Sequence, residues 1–211
     1  MKYKFKPRGY EIKITGKSVV VISVIVIGLI ISWFIYKSFQ PITTIEYRGV
    51  IFSFKEFKPD VDLRKVMKVP VYPNDEAISS LVFSPKIKNI FIVFKDSPDN
   101  ALVALSGVEI GVKLKLALTT HGYKVKSVTN LTQMFEAREQ GFLTIFPREI
   151  ASYDGLVGEE ESLLIALVPP ILTNETLVKV EDYVIFIMGK NREDFELATI
   201  RFLLAAFDIK V

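Results

Sequence analysis

The longest uninterrupted apolar stretch runs from Ser18 to Tyr36 (SVVVISVIVIGLIISWFIY), nineteen residues without a charge between Lys17 and Lys37. As a helix it measures about 28 Å, close to the roughly 30 Å of bilayer hydrocarbon, and it is apolar on every face. The pattern predicts a single membrane crossing, with Trp33 and Tyr36 at the far interface and Lys17 and Lys37 at the two ends. Its end and continuation, WFIYKSFQP, lack a small-x-small cleavage site, so the segment reads as an uncleaved signal anchor. A pilin-type leader fits less well, because Lys17 stands where such sites turn apolar.

Beyond the span the pattern shortens. Residues 37–86 read as a stalk and entry region packed onto the main fold: a strand in IEYRGVIFSF (45–54), a solvated stretch over 55–68, and an extended, turn-prone connector in VPVYPND (69–75). The main fold, 87–211, opens with the strand IKNIFIVFK (87–95) and the turn DSPDN (96–100). The apolar stretch from Ala101 to His121 has an ambiguous period. Val108 to Leu118 alternates as a strand would, yet Ser106, Glu109, Lys113 and Thr120 lie three, four and seven apart, as on one helical face. Its length favours a helix, with Asp99 or Asn100 as N-cap and Gly122 just past the end. With the strand in YKVKSVTN (123–130) this forms a parallel βαβ unit, expected to be right-handed.

The rest of the chain continues in kind. Asn130 and Gln133 form a capping box for a short helix that Gly141 stops, and FLTIF (142–146) and SLLIALV (162–168) are strands. Pro169 and Pro170 end the latter. TLVKVED and YVIFIMG read as two closely spaced strands or one long bent one. Phe195, Ala198, Thr199, Phe202, Leu203 and Ala206 then mark one face of a helix capped by Asn191 with Asp194 three positions on. The expectation is a three-layer α/β domain with a largely parallel sheet.

Charge orients this arrangement. The 211 residues are 50% hydrophobic with a net charge of +3, but residues 1–39 hold seven Lys or Arg against Glu11, leaving twenty bases against twenty-three acids in 40–211. Lys2, Lys4, Lys6, Arg8, Lys13 and Lys17 all precede the span, so the tail 1–17 is expected in the cytoplasm and residues 40–211 outside. The negative external balance and the topology disfavour nucleic acid as a partner.

Candidate chemistry is sparse. With no cysteine and one histidine, disulfides, iron–sulfur clusters, structural zinc and cysteine nucleophiles are excluded. There is no P-loop, HExxH or nucleophile-elbow motif, and no cofactor or metal site is expected. His121 reads as a donor to the last carbonyls of its helix. In open parallel sheets ligands bind beyond the carboxyl ends of strands, which singles out Asp96, Asp99 and Asn100 in one loop and Lys190, Asn191 and Arg192 in another for a small polar ligand or sugar. Both loops also have the composition of ordinary turns and caps. The run Glu159-Glu160-Glu161 reads as solvated, with a divalent cation or basic partner as the alternative. Asn174 and Asn130 head glycosylation sequons, Asn130 being also a helix cap.

The basic tail, the Val/Ile-rich anchor, VPVYPND, NIFIVFKDSPDNALVALSGVEI and the terminal GKNREDFELATIRFLL resemble a group of single-pass, membrane-anchored α/β proteins of archaea, especially thermophilic ones. The resemblance implies a fold and a cell-surface location and carries no catalytic residue across. A Cys-free, Lys/Ile/Glu-rich composition agrees with a thermophile. The chain is therefore expected to be a type II membrane protein whose external domain is a non-enzymatic interaction module, an accessory subunit of a membrane or cell-envelope complex. The alternative is an extracytoplasmic domain that binds a small ligand or binds or processes carbohydrate.

Overall fold

The computed structural model describes residues 24–33, 43–47, 50–54 and 63–209. The chain forms two compact units, Met1–Ile42 and Thr43–Val211. In the first, residues 24–33 form helix α1, and all ten residues are exposed. Among the described residues no helix is long and apolar enough to cross a membrane. Helix α1 is the middle of the 18–36 stretch; the ends of that stretch, with Lys17, Tyr36 and Lys37, and the tail 1–17 lie outside the described residues.

The second unit is mixed α/β. Its first element corrects the single strand read over 45–54: β1 (Thr43–Tyr47) and β2 (Val50–Phe54) pair antiparallel as a hairpin. In the sequence Arg48-Gly49 stands between the two apolar runs. A seven-stranded sheet comes next, in the order β3-β8-β9-β7-β4-β6-β5. Its strands are β3 (Val71–Tyr72), β4 (Asn89–Phe94), β5 (Val125–Ser127), β6 (Leu143–Glu149), β7 (Ser162–Val168), β8 (Leu177–Glu181) and β9 (Val184–Met188). All adjacent pairs are parallel except β8 with β9. The helices are α2 (Leu63–Val66), α3 (Asp75–Val82), α4 (Asn100–Thr120), α5 (Leu131–Glu139) and α6 (Arg192–Ala206).

The central strands are apolar on both sides because both faces of the sheet are covered. Ile90 and Ile92, Leu163, Ile165 and Leu167, and Ile185 and Ile187 join the main core with α3, α4 and α6. The alternate residues point the other way. Val93, Ala166 and Val184 pack under Ile150, Tyr153 and Leu156 of the loop after β6, while Phe146 lies with Met134 and Ala137 of α5. One face thus carries the long helices; the other has a short helix and a loop.

Several local expectations are sharpened. Strands β4 and β5 flank α4 in sequence, but β6 lies between them in the sheet. The connector 69–75 holds edge strand β3, parallel to β8, and Asn74 caps α3 by accepting from the Ala77 amide. TLVKVED and YVIFIMG are two antiparallel strands joined through Asp182 and Tyr183, both at positive φ (41° and 61°), the backbone of a tight two-residue hairpin. Helix α6, read as amphipathic, is buried nearly all round: besides its predicted stripe, Leu197, Arg201, Leu204 and Ala205 are inside, because α2, α3, α4, β8 and β9 all pack on it. Arg201 Nη2 donates to both Asp75 oxygens (2.7 and 3.0 Å) and Nε to the Val69 carbonyl (3.3 Å), tying α6 to α3 and to the segment entering β3.

Candidate functional site

Since β4, β7 and β9 run parallel, the loops after β4 and β9 lie at the same edge of the sheet, with the end of β7 between them. The asparagine of each loop is engaged in its own turn. Asn100 Oδ1 accepts from the Ser97 amide at 2.7 Å, and Asn100 Nδ2 donates to Asp96. Asp99 is the residue before α4 but makes no side-chain cap, so the helix start relies on the Asn100 turn instead. In the other loop Asn191 Oδ1 accepts from the Asp194 amide at 2.9 Å, and Asn191 Nδ2 donates to Asp194 Oδ2 at 2.7 Å. Lys190 stands 3.7 Å from Asp194, and Arg192 is exposed at the first helical position. Gly189 has no space for a Cβ, which would run into the Phe195 backbone. That glycine lets the first turn of α6 close onto the end of β9, and it leaves no cradle for an anion. A groove of about 430 Å³ beside Lys190 holds Lys65 and Lys68, but Lys65 pairs with Glu193 at 3.2 Å. That groove is lined by residues of the 190–194 turn and by none of 96–100.

A cleft of about 670 Å³ opens at the opposite edge, between the amino ends of β4, β5 and β6 and the end of α5. Lys88, Lys124 and Arg138 line it with Glu139 and the rings of Tyr123, Phe135 and Phe142. Here the acidic run finds its place: Lys86 pairs with Glu160, and Lys88 and Arg138 both pair with Glu161, the latter at 3.2 Å. The Lys86 contact holds the Glu160 carboxyl below its ordinary range. Two of the cleft's three cations thus share one carboxylate on its rim, which offsets one of their two charges. Among the described residues no group of three or more acids or histidines is placed to hold a metal ion.

His121 is the C-cap of α4, and its ring stacks on Phe83 at 4.2 Å. Tyr153, in the loop over the second sheet face, donates to the Leu167 carbonyl and accepts from the Lys95 amide at 3.0 Å; burial pushes its phenol up to about 12. Both side chains hold neighbouring elements together. Of the sequons, Asn174 is exposed, and Asn130 caps α5 by accepting from the Gln133 amide at 2.9 Å.

Helix α4 is the outlier. The face of Ser106, Glu109 and Lys113 is turned inward: Ser106 is 3% and Lys113 8% exposed. Lys113 pairs with Glu109 one turn away, and burial still pulls its ammonium below the ordinary lysine range. The outward face is apolar instead. Leu105 (48%), Val108 (65%), Val112 (61%) and Leu116 (41%) are exposed along three turns, with Ala101, Ala104, Lys115 and Thr119 beside them. A helix apolar around its whole circumference is expected to be covered on every side, and this one is covered on one. The signal was available in the sequence as apolar residues at 105, 108, 112 and 116 in addition to the inward set at 102, 103, 110, 114, 117 and 118. Among the described residues of this domain, no other helix exposes as many large apolar side chains.

No family model, curated protein or solved structure matches the chain.

Proposed function

We propose that the chain is a single-pass, membrane-anchored protein whose external α/β domain is a non-enzymatic interaction module, with the outward face of α4 as its contact surface. Residues 18–36 are the anchor in this reading, the N-terminus is cytoplasmic, and the domain serves a membrane or cell-envelope complex as an accessory subunit. The observation that carries it is the run Leu105, Val108, Val112 and Leu116, exposed on a helix that otherwise belongs to the core. Contiguous apolar surface of this kind marks contact sites on soluble domains. The uncharged 18–36 stretch supports the anchor, as does the exposure of the Val, Ile, Leu and Trp side chains of α1. In the two charged loops Asn100 and Asn191 are engaged in local turns and caps, and in the cleft Lys88 and Arg138 pair with Glu161.

The test is purification of the full chain in mild detergent. An assembly larger than the monomer is expected, and Val112→Glu should reduce it to the monomer. A monomer in every detergent tried would overturn the reading. Protease added outside sealed vesicles should remove residues 40–211 and spare the span; protection of the domain would overturn the topology.

A further inference from the structure

We infer that the cleft at the amino edge of the sheet is a binding site for a small anion, a phosphate or carboxylate, attached to a planar apolar group. The site shares no residue with the outward face of α4, so it stands or falls separately from that contact surface.

The start of β6 fixes the cations. Lys88 immediately precedes β4, and Lys124 immediately precedes β5. The Leu143 amide donates to the Lys124 carbonyl at 2.8 Å and the Thr144 amide to the Lys88 carbonyl at 3.0 Å, so the two lysines enter the sheet on either side of β6. With neighbouring strands about 4.8 Å apart, their backbones are about 10 Å apart, and two long side chains at that separation can converge on one anion. Arg138 comes from the helix that turns into the same strand. The Gly141 amide donates to its carbonyl at 2.9 Å and the Phe142 amide to that of Ala137 at 3.0 Å, which closes α5 onto β6.

The cluster carries an excess of positive charge. Glu161 bridges Lys88 and Arg138, and Lys124 takes no part in that bridge. With Glu139, the one acid among the lining residues, three positive charges meet two negative ones. The side chains of the bridge are between 35% and 52% exposed, so an incoming anion can take the place of Glu161 without leaving a buried charge behind.

The aromatic lining selects the rest of the ligand. Phe135 is 56% exposed and lies three positions before Arg138, on the same face of α5. Tyr123 and Phe142, both half-buried, line the cleft with it. The Tyr123 hydroxyl donates to the Phe83 carbonyl at 2.7 Å, so this residue offers the cleft its ring. A guanidinium holds a phosphate or carboxylate through paired hydrogen bonds, and an exposed ring beside it takes a second ring by offset stacking. A volume of about 670 Å³ is that of a small-molecule site.

The probes are phenyl phosphate, benzoate and inorganic phosphate, titrated by calorimetry into the full chain in non-ionic detergent. Phenyl phosphate and benzoate should bind saturably, with inorganic phosphate about tenfold weaker than phenyl phosphate for want of the stacked ring. Phe135→Ala should remove that difference. Lys124→Gln should weaken phenyl phosphate about tenfold, the loss of one charge-assisted hydrogen bond, while Lys179→Gln on β8 should leave it unchanged. Glu161→Gln removes the carboxylate that competes for Lys88 and Arg138 and should tighten binding several-fold, a gain that a misfolded variant cannot give. If neither the wild type nor Glu161→Gln binds phenyl phosphate or benzoate below about 10 mM, the inference is overturned. Binding that Lys124→Gln and Phe135→Ala leave unchanged also overturns it, because the ligand is then elsewhere on the chain. Inorganic phosphate bound as tightly as phenyl phosphate overturns the ring-bearing ligand.

Discussion

Helices α4 and α6 contact each other and share one face of the sheet, and neither has the one-sided apolar stripe of an ordinary surface helix. In α6 the surplus is accounted for. With α2, α3, α4, β8 and β9 around it, Phe195, Phe202, Leu203 and Ala206 are fully buried, and its one inward cation, Arg201, is matched by Asp75. In α4 apolar residues lie on both sides: Leu102, Val103, Ile110, Leu114 and Leu118 are buried, with Ser106 and Lys113 among them, while Leu105, Val108, Val112 and Leu116 face out. Similar circumferential composition therefore has two physical meanings. In one helix it is core; in the other, half is core and half is surface kept apolar at the expense of solubility.

The sharpest way to break the comparison is to empty the core side. Phe202→Ala on α6 removes a fully buried ring and should cost about 3–5 kcal/mol of unfolding free energy in denaturant titration. Asp75→Ala comes next. It leaves the Arg201 guanidinium, 8% exposed, without its counter-ion, and a cost of about 3 kcal/mol is expected; Arg201→Met, which removes the buried charge as well, should cost less.

Tyr153→Phe tests the covering of the opposite face and should cost about 1 kcal/mol for the lost hydrogen bonds. It also has a pH signature. The folded phenol ionises at about 12 and the unfolded one near 10, so the folded state favours the protonated ring. That contribution is full below about pH 10 and is lost as pH rises towards 12, so wild-type stability should fall over this window by more than that of the phenylalanine variant. The smallest effect is expected on the outer face of α4: Val108→Ser should move stability by no more than about 0.5 kcal/mol. A loss comparable to Phe202→Ala would mean that this face is covered within the monomer.

Much of the architecture was readable from pattern. Strand β7 falls on SLLIALV because buried parallel strands are continuous apolar runs, and Asn130 and Asn191 cap α5 and α6 because short polar side chains just before a helix reach its free amides. Other features needed the chain's long-range pairings. The β8–β9 hairpin is not legible locally because its turn is Asp182-Tyr183, without the Asn-Gly or Asp-Gly that announces positive φ. The connector 69–75 carries only two strand residues, and their pairing with β8 is more than a hundred residues away in sequence. Spacing puts Glu109 and Lys113 on one helical face, but neither the burial of that pair nor the salt links of the 159–161 run could be read from it, since these depend on distant elements.

The sequence by itself determined the apolar 18–36 stretch, the split of charge at residue 39, the absence of thiol chemistry and the local elements with their caps, because these depend on neighbours within a few residues. Tertiary structure alone decided which side of α4 is solvent, that α6 has almost no outside, and that the two polar loops at the carboxyl edge turn their groups on themselves. Burial and pairing are properties of what packs against a residue, and the packing partners of α4 and α6 come from strands and helices distributed along the whole domain.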